Sequence, residues 1–155
     1  MESLPNEQHM DKSKIAEIAR NKITGKIQNF ENLIAETRAS SNDTKSSMGD
    51  KYETGREMLQ QEINNLQRQL NETLNQQMLI QKITDEPSSK VQNGALVKTD
   101  KGLFYIAASV GEIVLDNRKI MTVSSESPLV KAMAGLSKGQ SFFINTVRQT
   151  IEEIW

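Results

Sequence analysis

Cysteine is absent from this 155-residue chain, and its one histidine, His9, lies in a polar stretch near the start. The absence of cysteine excludes disulfide bonds, thiolate nucleophiles and zinc sites with cysteine ligands. A catalytic triad based on histidine and a metal site with several histidines are excluded as well, because His9 is the one histidine available.

Long apolar runs are missing too. The chain has no stretch of about 18 consecutive apolar residues, the length that a membrane-spanning helix requires. Residues 1–20 also lack the apolar core of a signal peptide. We therefore expect a cytoplasmic protein without membrane contact.

Aromatic residues are 5% and apolar residues 36% of the chain, which is little for one compact globule. A helical hairpin with a thin core would account for both figures. The net charge is −1, from 19 basic and 20 acidic residues, so the chain lacks the basic excess of a nucleic-acid binder. If the protein acts on nucleic acid, another molecule must hold that nucleic acid.

The first half has the periodicity of helices. Apolar residues recur at steps of three and four at Ala16, Ala19, Ile23, Ile27, Phe30 and Ile34, and again at Leu59, Ile63, Leu66, Leu70, Leu74 and Met78. These stripes predict helices over 14–39 and 56–82. Ser40 to Asp43 should end the first helix, because their side chains compete for backbone hydrogen bonds. The narrow stripes predict an antiparallel coiled-coil hairpin; a bundle formed by dimerisation is the alternative.

The second half has the periodicity of strands. Thr84 to Ser89, with Pro87, predicts a linker. Strands are predicted at 95–99, 103–107, 111–115, 119–123, 141–145 and 149–154, and a short helix at 129–136. The predicted class is α+β, with a flexible lead over 1–13, a hairpin over 14–83 whose tip lies near 40–54, a linker over 84–92 and a small β-sheet domain over 93–155.

The C-terminal half carries residues that resemble the Gre family of bacterial transcription factors. The matching segments are Gly94-Ala95-Leu96-Val97, Val123-Ser124-Ser125-Glu126-Ser127-Pro128, Ala132-Met133-Ala134-Gly135, Lys138-Gly139-Gln140 and Ile151-Glu152-Glu153-Ile154. Gln140 replaces the family's common aspartate, and one extra residue precedes Ser127. The order of helical hairpin, linker and small β domain is similar as well.

The resemblance implies an FKBP-like C-terminal domain at the rim of the RNA polymerase secondary channel, with the hairpin reaching into that channel. It implies that the loop with Ser127 and Pro128 faces the polymerase. The chain would then be a monomeric accessory factor that stimulates the polymerase's own RNA hydrolysis, and not an enzyme. Nascent RNA would be met indirectly, at the polymerase active site.

The predicted tip contains three carboxylates, Asp43, Asp50 and Glu53. The family's cleavage factors have a tip similar to Asp-Leu-Lys-Glu-Asn, and two acids there suit a Mg²⁺ ion shared with the polymerase, since phosphodiester hydrolysis benefits from two metal ions. One register aligns Asp43 with the first acid and leaves Ser46 at the second. The other aligns Asp50 and Glu53, three residues apart at a helix start, where the dipole favours carboxylates. The choice between the registers stays open at this stage.

Plainer roles compete with these. Acids in the first turn of a helix are common caps, and Ser127 followed by Pro128 suits a cap and turn. Tyr52 could stack on a base or pack at the hairpin end, and Trp155 could pack on the sheet or meet a partner. A non-catalytic channel binder with the same fold is the main alternative function. A chaperone or adaptor with a prolyl-isomerase-like domain is a third, although its aromatic residues are few for a proline pocket: Phe104, Tyr105, Phe142, Phe143 and Trp155.

Overall fold

The computed structural model describes residues 10–44 and 50–155, with side chains for 10–41 and 54–155. Within these ranges the elements are α1 (Lys12–Thr44), α2 (Asp50–Gln81), β1 (Leu96–Thr99), β2 (Gly102–Ala107), β3 (Glu112–Leu115), β4 (Arg118–Ser124), α3 (Pro128–Met133), β5 (Ser141–Ile144) and β6 (Val147–Ile154). The predicted α+β class, a helical hairpin followed by a small sheet domain with one short helix, is confirmed.

The chain forms two compact units. The helical unit is Lys22–Gln77, and the sheet unit combines the described residues up to Asn21 with Met78–Trp155. The first turns of α1 and the last residues of α2 thus belong to the same unit as the sheet.

The helical unit is held together by a narrow apolar seam. Its buried cluster consists of Ile34 from α1 and Ile63, Leu66 and Leu70 from α2, with Ile27 and Phe30 packed against it. Because residues 45–49 are too few for a crossover, the pairing of α1 with α2 is antiparallel, as the two stripes predicted.

The seam of α2 departs from the apolar stripe beyond Leu70. Thr73 is 3% exposed there, whereas Leu74 and Met78 are 37% and 58% exposed. Buried positions that follow each other at alternating steps of three and four residues repeat every 3.5 residues on average, and this repeat keeps one side of a helix facing its partner. Leu66 and Leu70 are four residues apart, so the next buried position lies three residues on, at Thr73. The Thr73 hydroxyl donates to the Gln69 carbonyl at 2.8 Å, so its burial leaves no unpaired donor. The prediction that Leu74 and Met78 continue the buried stripe was wrong.

Both helices extend further toward the connector than predicted. The serine, asparagine and aspartate run does not end α1, and α2 begins at Asp50 rather than Arg56. These residues disfavour a helix interior by less than about 1 kcal/mol each, and extending a formed helix needs no new nucleus. Gly55 is accommodated inside α2 at a similar cost of about 1 kcal/mol. Residues 45–49 of the predicted tip lie outside the described residues.

The sheet has the strand order β3-β4-β2-β1-β6-β5. β2 pairs with β4 in parallel, and the other neighbours are antiparallel. Two-residue turns close the β3–β4 and β5–β6 hairpins, with positive φ at Asp116, Asn117, Asn145 and Thr146. Such turns match the twist of the strands. Thr146, at φ 68°, is a β-branched residue in a conformation that its type rarely adopts.

One face of the sheet packs against α3. Val97, Ile106 and Ile151 from the strands are buried with Val130 and Met133 from the helix. The helix ends at Met133, before the predicted 136, because Ala134 leaves the helical conformation and Gly135 adopts φ 78°. The Gly135 amide then donates to the Val91 carbonyl at 2.9 Å instead of continuing the helix. Across residues 10–44 and 50–155, no helix is both long and apolar enough to span a membrane.

Candidate functional site at the helix ends

The three tip acids fall at the facing ends of the two long helices. Asp43 is the last residue but one of α1, Asp50 is the first residue of α2, and Glu53 follows three residues later. Their side chains lie outside the described part of the chain, and their backbone positions are described. In an α-helix residues three apart share one side, so Asp50 and Glu53 occupy one side of the opening turn of α2.

These backbone positions have opposite electrostatic character. A helix N-terminus favours a negative side chain by about 0.3–1 kcal/mol, and a C-terminus disfavours one by a similar amount. Asp50 and Glu53 stand at an N-terminus and Asp43 at a C-terminus. The second register, in which Asp50 and Glu53 form the pair, expects these two acids at a helix N-terminus, and the choice between the registers remains a prediction. Ser46, the second position of the other register, lies outside the described residues.

Two carboxylates on one helical turn can supply part of the oxygen shell of a Mg²⁺ ion. The ion demands six oxygens in an octahedron and keeps several waters, so two carboxylates bind it weakly without further ligands. Among the described side chains, which do not include those of the tip acids, no group of three histidine, cysteine, aspartate or glutamate residues could hold a metal ion. The shared Mg²⁺ ion, with Asp50 and Glu53 as two of its ligands, therefore remains a prediction.

Ser127 and Pro128, the predicted docking residues, open α3. The Ser127 hydroxyl oxygen accepts a hydrogen bond from the Val130 amide at 3.2 Å, and Pro128 is the first helical residue. The alternative prediction that Ser127 caps this helix is therefore confirmed. Ser127 is half-buried and Pro128 is exposed. Contact with a polymerase remains a prediction for both.

Trp155 extends the pairing of β6 with β1. Its amide donates to the Leu96 carbonyl at 2.9 Å, and its own carbonyl accepts from the Leu96 amide at 3.1 Å. Its side chain is half-buried and lies beside a cavity lined also by Pro87 and Met10. The backbone of Trp155 is thus part of the sheet, in line with the packing role.

The aromatic residues of the sheet do not gather in one pocket. Phe142 is 6% exposed whereas Phe143 is 65% exposed, because successive residues of a strand point to opposite faces. The same alternation separates Phe104 from Tyr105. This arrangement weakens the reading of the sheet unit as a proline-binding domain.

Lys12 is a structural residue that sequence reasoning missed. It is 6% exposed, and its ammonium donates to the carbonyl oxygens of Glu86 at 2.7 Å and Trp155 at 3.1 Å. Burial lowers the pKa of Lys12, and the nearby Asp85 carboxylate opposes that shift. In the sequence, Lys12 looks like any solvent-exposed lysine near the start of an amphipathic helix. The two atoms that accept its hydrogen bonds are backbone oxygens 74 and 143 residues further along the chain. No sequence pattern could have identified this contact.

No protein-family model matches the chain, and no curated protein matches it. Among the solved structures that are similar to it at low identity are three of Gfh1 proteins. One is of the transcription factor Gfh1 (14% identity, TM-score 0.39, 87% of this chain and 94% of that one). A second is of GreA factor homolog 1 (Gfh1) of Thermus thermophilus (16%, TM-score 0.37, 88% and 94%). The third is of Thermus aquaticus Gfh1 (15%, TM-score 0.34, 86% and 92%).

Proposed function

We propose that this protein binds bacterial RNA polymerase in the cytoplasm and stimulates cleavage of backtracked transcripts from within the secondary channel. The observation that carries the proposal is the start of α2 at Asp50, which puts Asp50 and Glu53 on one side of an opening helical turn. The Gre-like residues between Gly94 and Gln140 support it independently, because they lie in the other half of the chain.

The part that this chain plays would be to present two carboxylates. Asp50 and Glu53 would complete the shell of a Mg²⁺ ion that the polymerase also holds, and such an ion can lower the pKa of an attacking water. The dipole of α2 favours the ionised form that metal binding requires. Bond cleavage would remain the polymerase's own reaction, so the protein would act as an accessory factor.

Docking would fall to the sheet unit. Pro128 is exposed. Beside it, Glu126 in the preceding loop forms an exposed ion pair with Lys131 of α3 at 3.7 Å. Exposed ion pairs of this kind contribute little to stability, so substitutions here are tolerated by the fold. Pro128→Ala and Lys131→Glu are therefore suitable changes for a pull-down with core polymerase.

The test uses stalled, backtracked elongation complexes with Mg²⁺. Addition of the protein should shorten the transcripts. The double substitution Asp50→Asn with Glu53→Gln should reduce that stimulation by orders of magnitude, as expected for loss of a ligand in a two-metal site. The charge-matched control, Glu57→Gln with Glu62→Gln, changes two exposed acids further along α2 and should leave stimulation intact.

A non-catalytic channel binder is the second candidate. Lys45 and Lys51 alternate with the acids of the connector, and Ser46 stands at the second acidic position of the first register. Such a connector suits occupation of the channel better than recruitment of a cation. Inhibition of transcript elongation without any shortening, unchanged by the double substitution, would establish this function in place of the first.

A further inference from the structure

Residues 84–88 lie between α2 and the sheet and have no regular secondary structure. Asp85 and Pro87 of this segment line a cavity of about 320 Å³. The opposite lining consists of Met10 to Ser13 and Trp155. Residues 84–87 are exposed, so this cavity is an open one at the protein surface.

A single ammonium fastens this segment. Lys12 reaches from the first residue of α1 to the Glu86 carbonyl and to the Trp155 carbonyl. In the part of the chain that the structure describes, the other hydrogen bond of residues 84–88 is a local one, from the side-chain amide of Gln92 to the Ser88 hydroxyl at 3.4 Å. One charged group thus connects three segments that are far apart in sequence.

The chemistry of the contact makes it sensitive to a single change. A buried ammonium needs hydrogen-bond acceptors to offset its desolvation, and a charged donor makes stronger bonds than a neutral one. The β1–β6 pairing does not depend on Lys12, because the Leu96 and Trp155 backbones exchange both of their hydrogen bonds. The segment can therefore detach while the sheet remains paired.

We propose that residues 84–88 form a strap, which Lys12 holds against the start of α1 and the end of β6 beside this open cavity, and which detaches locally while the sheet stays folded. Detachment widens the opening of the cavity and exposes more of the half-buried indole of Trp155 and of the first turn of α1. Because residues 84–87 are exposed, detachment disrupts few packed contacts. The mechanism involves no polymerase and is independent of the proposed function.

Trp155 is the only tryptophan of the chain, so tryptophan fluorescence reports on the surroundings of this one residue. Lys12→Met keeps most of the aliphatic length and removes the donors. It should raise acrylamide quenching of Trp155 about twofold, as local opening becomes more populated. Hydrogen exchange at the Trp155 and Leu96 amides should accelerate by no more than a small factor, because their ladder persists. Lys14→Met, an exposed lysine of the same turn, should leave quenching unchanged.

Glu86→Gln is a second control and should leave the quenching of Trp155 unchanged. The atom of Glu86 that accepts the hydrogen bond from Lys12 is the backbone carbonyl oxygen, which this substitution retains. Quenching in Lys12→Met equal to that of the unmodified protein would overturn the proposal. So would a rise in quenching that occurs only together with loss of the sheet's circular dichroism.

The unmodified protein provides a measurement that does not depend on any variant folding. In low urea, quenching of Trp155 should increase before exchange at the Ile106 amide, which donates to Ala95 within the sheet at 2.9 Å. If both change with the same dependence on urea, the strap opens only by global unfolding and the proposal fails.

Discussion

Tyr105 and Thr122 are register partners in the parallel pair of β2 and β4, and both are buried, at 0% and 1% exposure. The Thr122 hydroxyl donates to the Gly111 carbonyl at 2.7 Å and accepts from the Val110 amide at 2.8 Å. The Tyr105 hydroxyl has no hydrogen-bond partner among the described residues. Of these two neighbouring buried hydroxyls, that of Thr122 therefore has hydrogen-bond partners that offset its burial, and that of Tyr105 has none among the described residues.

Removing each hydroxyl should therefore change stability in opposite directions. Tyr105→Phe should raise the free energy of unfolding by about 1 kcal/mol, because it removes an unsatisfied buried group. Thr122→Val should lower it by about 1–3 kcal/mol, because it leaves the Val110 amide without its acceptor. Urea unfolding followed by circular dichroism measures both. A loss of stability in Tyr105→Phe would show that the hydroxyl has an acceptor after all.

Tyr105 should also give the protein a distinct response to alkaline pH. Burial raises the pKa of Tyr105, the Asp85 carboxylate raises it further, and Arg20 opposes both. Above about pH 10 the unfolded chain releases the tyrosine proton before the folded chain does, so the unfolded state is favoured as pH rises. Stability should fall as the pH rises above about 10, and the fall should be smaller in Tyr105→Phe. An equal loss of stability in both proteins would show that groups other than Tyr105 cause it.

The seam of α2 predicts a contrast between two leucines four residues apart. Leu70 is 7% exposed, whereas Leu74 is 37% exposed. Leu70→Ala should lower the free energy of unfolding by about 2–5 kcal/mol. Leu74→Ala should lower it by well under half as much, because less area is lost from contact. Thermal unfolding followed at 222 nm checks this, and equal losses would contradict the observed seam.

The ends of the long helices should respond to charge in opposite ways, without any polymerase present. Asp50→Asn removes a charge that the α2 dipole favours and should lower stability by about 0.3–1 kcal/mol. Asp43→Asn removes a charge that the α1 dipole disfavours and should raise it by a similar amount. Added salt should shrink both effects. The same sign for the two variants would mean that the dipoles do not set these energies.

Ser127 offers a way to separate folding from docking. Ser127→Ala removes the cap that accepts from the Val130 amide and should cost about 1 kcal/mol of stability. Ser127→Asp retains a capping oxygen and should restore stability. If the loop contacts a polymerase, Ser127→Asp should still change binding, since it adds a charge at the interface. Binding that follows stability in both variants would leave Ser127 with its structural role alone.

The sequence by itself determined the class of fold, because the three-four steps of Ile23 to Ile34 and the short apolar run of Leu103 to Ala107 are local signals of a helix and of a buried strand. It also located the start of α3, where proline and a preceding serine act on their own turn. Only the tertiary structure decided that Thr73 is buried and Leu74 is not, because the partner helix selects the side that faces it. The bonds of Lys12 to Glu86 and Trp155 were likewise decided by packing, since any carbonyl accepts equally well and only the folded chain places those two beside a buried ammonium.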